Sequence, residues 1–225
     1  MREIPTTHVG SLPRGEELVP LLLARDRGEP HDAAALERLV QAAVEDAVAK
    51  QEAAGVSIVS DGELGKVGYS TYVRERLSGF GGHVPRKPAL DLAALPELRR
   101  KLALIMGGQE FVRAQCVGPV RLVTLDPCHE DIRRFSRALA GRSVRGFLNA
   151  ASPGLITAFQ PDAWYGNHET YLADLVSAMR PEYTAIAASG VQLQLDCPDL
   201  AMARHTGYQD LTEEQFLKIA AARLR

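Results

Sequence analysis

The chain has 225 residues, 46% of them apolar, with 26 basic and 28 acidic side chains and a formal charge of −2. That length can bury one full core, and a near-neutral balance without a basic tract or an aromatic-studded basic face argues against a nucleic-acid partner. No apolar run approaches the roughly 20 residues of a membrane span. The start, Ile4–Pro5 after three polar or sulfur-bearing residues, has no apolar signal core. Three cysteines, Cys116, Cys128 and Cys197, suit a reducing compartment better than a disulfide framework. These features predict a soluble cytoplasmic α/β protein that contacts neither membrane nor nucleic acid.

In chain order, Ile4–Val9 reads as a first strand, left through the loop Gly10–Ser11–Leu12–Pro13–Arg14. Residues 16–27 are helical, with Pro20 forcing an interruption or a late start. Asp32 is placed to cap a long helix from Ala33 to about Ala53, whose Leu36, Val40, Val44 and Val48 recur on one face. Val56, Ile58 and Val59 form a β-branched run between Gly55 and the turn pair Asp61–Gly62, the pattern of a buried parallel strand. A short helix over Tyr69–Leu77, a Gly- and Pro-rich loop over Gly79–Lys87 and a helical stretch over Leu92–Met106 follow. Phe111–Val117 reads as a third strand, Asp126–Glu130 as a turn, Asp131–Leu139 as a helix and Val144–Ala151 as a fourth strand ending at Ser152–Pro153–Gly154. His168–Ser189 is a helix with Pro181 as a local defect, Val191–Leu195 a fifth strand, and Thr212–Leu224 a last helix opened by a Thr212/Gln215 capping box.

Strands separated by helical stretches argue for a parallel sheet with crossover helices. An open doubly wound sheet would be complete at this length, whereas a (β/α)₈ barrel needs roughly 250 residues. No G-x-G-x-x-G follows the first strand and no G-x-x-x-x-G-K-[ST] occurs, so a nucleotide site lacks its usual marks.

The polar groups at strand ends are the candidates for chemistry: His8, Gly10 and Ser11 after the first, Asp61 and Glu63 after the second, Asp196 after the fifth. In a barrel these converge on one mouth. A carboxylate side chain would take a ligand's ammonium, and backbone N–H groups with the Ser11 hydroxyl would take its carboxylate. Each has a plainer alternative: Asp61 as a turn cap, Glu63 solvated, His8 a satisfied part-buried imidazole, Ser11 a turn hydroxyl. Adjacent Cys128 and His129 are poor geometry for one metal ion, and no C-x₂-C or H-E-x-x-H occurs. Cys197 could be a soft ligand or a small buried residue. Composition alone indicates a metal-free chain.

Three stretches carry a resemblance. Thr6–Thr7–His8–Val9–Gly10–Ser11–Leu12–Pro13–Arg14, Gln51–Glu52–Ala53–Ala54–Gly55 running into Asp61–Gly62–Glu63, and Gln192–Leu193–Gln194–Leu195–Asp196–Cys197–Pro198–Asp199–Leu200–Ala201 resemble the cobalamin-independent methionine synthase family. The likeness is to its short, single-barrel members, covers essentially the whole chain in order, and is joined by Ser152–Pro153–Gly154 and Glu182–Tyr183. It implies one domain over residues 1–225, the N-terminal portion of a (β/α)₈ barrel with about the first five β/α units. It implies methyl transfer to a zinc-activated thiol such as homocysteine, from a folate or corrinoid donor. The family's amino-acid site falls on Val9, Gly10, Ser11, Glu63 and Asp196, with His8 nearby.

The departures are specific. The family's folate-stacking Trp falls near Leu125 and a second folate-contacting acid on Met202. Its zinc ligands, a His-x-Cys pair, a Glu and a later Cys, lie on strands after the fifth and have no counterpart here. The expectation is a fragment, or a split or degenerate product, without zinc or turnover. Such a chain would be poorly soluble alone, self-associating, or completed by a second polypeptide. The alternatives are a non-catalytic subunit of a split barrel, and alkyl transfer or lyase chemistry on another thiol.

Overall fold

Asp32 accepts the Ala35 backbone N–H at 2.9 Å and so opens the helix the sequence placed there. In the computed structural model, which describes residues 4–85, 89–105 and 112–223, this is α2, Ala33–Ala53, after α1, Leu18–Asp26. The remaining elements, in order, are β1 (Ile58–Ser60), α3 (Tyr69–Arg76), β2 (Phe80–Pro85), α4 (Leu90–Ala93), α5 (Pro96–Ile105), β3 (Val112–Cys116), α6 (Asp126–Leu139) and β4 (Arg145–Ala151). Then come α7 (Pro153–Phe159), α8 (His168–Ala188), β5 (Gln192–Asp196), α9 (Asp199–Thr206) and α10 (Glu213–Ala222). No described helix is long and apolar enough to cross a membrane.

The described strands form two small sheets, one of order β1-β4-β5 and one pairing β2 with β3, and no closed barrel. β1 runs parallel to β4 with Ile58 opposite Arg145 and Ser60 opposite Phe147. The expected first strand, Ile4–Val9, is reduced to one parallel bridge between Thr7 and Ile58. The expected third strand is antiparallel, because the supposed loop from Gly79 supplies a partner: Phe80 lies opposite Cys116 and Pro85 opposite Val112. Between Gly81 and Val84 the register shifts, so two of the glycines in that stretch mark a distorted strand rather than a loop. Phe111, Arg86, Lys87, Met106 and Leu224, the ends of other expected elements, lie outside the described residues.

Other boundaries moved for local reasons. α6 already starts at Asp126, with Pro127 in its first turn, where a missing N–H costs nothing. Pro96 likewise opens α5, splitting the stretch expected as one helix. Ser152 caps α7 by accepting the Leu155 N–H at 3.0 Å.

The described residues fall into two compact units. The first comprises residues 4–76, 123–150 and 180–195. Its core joins Val40, Val44 and Val48 of α2 to Phe135 and Ala138 of α6, Val59 of β1, Leu148 of β4 and Ile186 of α8. Here the Gln51 side chain stands in for a strand partner: its Nε2 donates to the Ser60 carbonyl at 2.8 Å and its Oε1 accepts the Ser60 N–H at 3.0 Å. The second unit, with the β2–β3 ribbon, α7, α9 and α10, packs Phe216 and Ala220 against Ala203. In it the Arg223 side chain is buried and bonds Asp199 Oδ2, Thr157 Oγ1 and the Tyr208 hydroxyl.

Candidate functional site

β1 ends at Ser60 and the chain turns through Asp61, Gly62 and Glu63. Gly62 (φ 64°) is followed by Glu63 (φ 55°), two successive left-handed residues. At Gly62 a β-carbon would also lie 2.8 Å from Leu12 Cδ1, so the close pass of the 11–14 segment requires glycine. Leu12 N donates to the Gly62 carbonyl at 2.9 Å, and Asp61 Oδ1 accepts the Glu63 N–H at 2.9 Å.

This turn drives the Glu63 carboxylate inward. Ser11 Oγ donates to its Oε2 at 2.5 Å and Asn149 Nδ2 to its Oε1 at 2.7 Å, with Glu63 and Asn149 both 7% exposed. Ser11 and Glu63, 52 positions apart, are therefore together, though bonded to each other and not held apart as two ends of a ligand cradle. His8 Nε2 donates to the Gly10 carbonyl at 3.1 Å, which is the plainer of its two readings; Val9 is exposed. Asp196, half-buried at the end of β5, belongs to the second unit, where its carbonyl accepts the Ser152 N–H at 3.1 Å.

Asp61 is buried and not solvent-facing. Lys66 Nζ lies 3.7 Å from Asp61 Oδ2 and 3.7 Å from Asp131 Oδ2, with the Tyr72 ring centroid 4.9 Å away. The Tyr72 hydroxyl donates to Asp131, and Arg76 stacks 3.6 Å from that ring while bonding Glu182 Oε2 at 2.6 and 2.9 Å. Burial pushes the Asp61 carboxyl above the ordinary range, against the pull of Lys66. Burial also works against the Lys66 ammonium, but Asp61 and Asp131 win and hold it above the usual lysine value. A small cavity opens between Lys66, Tyr72, Asp131, Asn149 and Glu182. Cys128 faces it, its thiol pushed up to about 12, first by burial and then by Glu182, so it is a poor nucleophile.

Sequence reasoning missed Asn149, Lys66 and Arg14. Asn149 is the one polar residue in the buried run Gly146–Ala151, and a lone amide among apolar neighbours was the available signal. For the zinc that the resemblance implies, the described residues hold no group of three or more His, Cys, Asp or Glu able to bind a metal ion. They do not fit that metal.

No protein-family model matches the chain. A curated relative, the 5-methyltetrahydropteroyltriglutamate–homocysteine methyltransferase of Aeromonas salmonicida (strain A449), is 26% identical over 200 residues, covering 87% of this chain and 23% of its own length. Among solved structures, the B12-independent methionine synthase of Shewanella sp. W3-18-1, in complex with selenomethionine, superposes with a TM-score of 0.64 at 20% identity, covering 87% of this chain and 52% of that one. A putative vitamin-B12-independent methionine synthase of Listeria monocytogenes gives 0.58 at 19% identity, covering 87% and 53%. The chain thus spans about a quarter of the curated relative and about half of the solved ones. In sequence and in α/β fold, it is similar to the cobalamin-independent methionine synthases and matches part of their length.

Proposed function

We propose that this chain carries the amino-acid site of a homocysteine methyltransferase, with β1, β4 and β5 as units of a (β/α)₈ barrel. The observation that carries the reading is the Glu63 carboxylate, buried yet fixed at both oxygens by Ser11 and Asn149 at the end of β1. A buried carboxylate bonded at both oxygens suits an ammonium ligand. On binding, the Ser11 hydroxyl turns from Glu63 to the ligand's carboxylate with Val9–Gly10 backbone beside it, and the freed Oε2 receives the ammonium. His8 stays a neighbour bonded to Gly10. The substrate is a homocysteine-like thiol, and the methyl donor a folate or corrinoid. The homocysteine methyltransferase activity of the Aeromonas relative and the selenomethionine in the Shewanella complex support that substrate class.

β5 is an edge of its sheet among the described strands, which supports a barrel-completing partner or a second copy pairing there. The charge balance and cysteine usage support a cytoplasmic setting. Isothermal titration with L-homocysteine tests the site. Wild type is expected to give a saturable heat that Glu63→Ala abolishes, and indistinguishable heats remove the assignment. Size-exclusion chromatography showing a stable, compact monomer would count against the partner.

A further inference from the structure

Among the described residues Glu63 is the one non-glycine residue with a positive φ, 55°. Side chains with a β-carbon rarely adopt this region, and a residue persists there only where its surroundings over-determine it. The surroundings are explicit. Arg14 Nη2 donates to the Glu63 carbonyl at 2.8 Å and to the Lys66 carbonyl at 2.6 Å, so one nitrogen bridges the two ends of the turn. The Lys66 N–H closes the same turn on the Glu63 carbonyl at 3.1 Å, and Arg25 Nη2 holds the Gly65 carbonyl at 2.9 Å. Leu12, two residues before Arg14, ties the Gly62 carbonyl. The segment that presents Ser11 to the Glu63 carboxylate thus also holds the backbone beneath it.

We propose that Arg14 is the positioning residue of this site: its guanidinium clamps the carbonyls of Glu63 and Lys66, keeping Glu63 in the left-handed turn that aims its carboxylate at Ser11 and Asn149. The planar fork of arginine presents both hydrogens of one nitrogen in fixed directions, which a lysine ammonium on a flexible stem does not. Burial opposes the Arg14 charge, while Glu63 and Asp61 favour it. The ligand consequence rests on the function proposed above; the clamp itself does not.

Urea midpoints of wild type, Glu63→Gln and Glu63→Gly, each with and without Arg14→Met, separate a backbone clamp from a charge effect. Arg14→Met is expected to lower the midpoint equally in wild type and in Glu63→Gln, and by less than half as much in Glu63→Gly, which has no β-carbon to strain. An equal loss in all three backgrounds overturns the clamp. So does a loss that vanishes in Glu63→Gln, because that marks simple attraction to the carboxylate. Should Arg14→Met not fold, Arg14→Lys enters the same cycle. Calorimetry with L-homocysteine forms the second arm. Arg14→Lys is expected to weaken binding about tenfold, the equivalent of one net hydrogen bond lost from the turn. Unchanged affinity overturns the positioning role. No binding by wild type overturns the ligand reading alone, and the midpoints still decide the clamp.

Discussion

Asn149 donates its Nδ2 hydrogen to Glu63 Oε1 at 2.7 Å across 86 positions of sequence. The bond joins the one polar residue of the buried part of β4 to the turn that follows β1. Asn149→Leu keeps the approximate volume but leaves a buried carboxylate oxygen one donor short. A loss of about 1–3 kcal/mol in urea unfolding is expected, with weaker L-homocysteine binding by calorimetry. Unchanged stability would show that the amide contributes no net bond.

Arg76 and Glu182 form a buried pair, and Arg76 is 1% exposed. Glu182→Ala strands the guanidinium and should cost about 3–5 kcal/mol. The paired replacement Arg76→Met with Glu182→Leu should lose far less, since both charges leave together. Equal losses in the single and double variants, read by urea unfolding, would contradict this.

The Arg134 guanidinium, bonding Glu37 against a burial penalty and helped by Arg133, holds that carboxyl down to about 2 from its ordinary 4.5. A depressed folded-state value means the stabilisation is present above pH 4.5 and is lost as pH falls toward 2. Glu37 is more than a third exposed, so solvent screening makes the effect smaller than the shift alone implies. Urea midpoints of wild type should fall more steeply across that window than those of Glu37→Gln. Parallel curves would refute the linkage.

Gly154 lies under the buried Arg223–Asp199 pair of the second unit, and a β-carbon there would sit 2.4 Å from Asp199 Oδ2 and 2.8 Å from Arg223 Cδ. Gly154→Ala must push that pair aside. A cost of about 1–3 kcal/mol is expected, the range for overpacking. A neutral result in thermal unfolding would show that the pair yields freely.

What was legible in the sequence was what local chemistry decides. Asp32 and Thr212 both cap the helices they were assigned, the latter with a reciprocal Gln215 bond. Val56–Val59 before Asp61–Gly62 located β1, and the strand-end rule pointed to Ser11 and Glu63, which do meet. Non-local pairing was not legible. Phe80–Pro85 looks like a loop until Val112–Cys116 lies beside it. Ser152–Pro153, read only as the end of the fourth strand, carries the signature of a capped helix and opens α7. Arg14 and Lys66 were not legible, because nothing in a sequence shows that a cation will meet backbone carbonyls or two buried acids.

Gln51 has a consequence beyond its two bonds to Ser60. A β-strand of three residues has little ladder of its own, and this one borrows rungs from a helix side chain. The C-terminal turns of α2 cannot fray without exposing the Ser60 amide, so helix and strand come undone as a single piece. The turn that begins one residue later inherits its steadiness from α2.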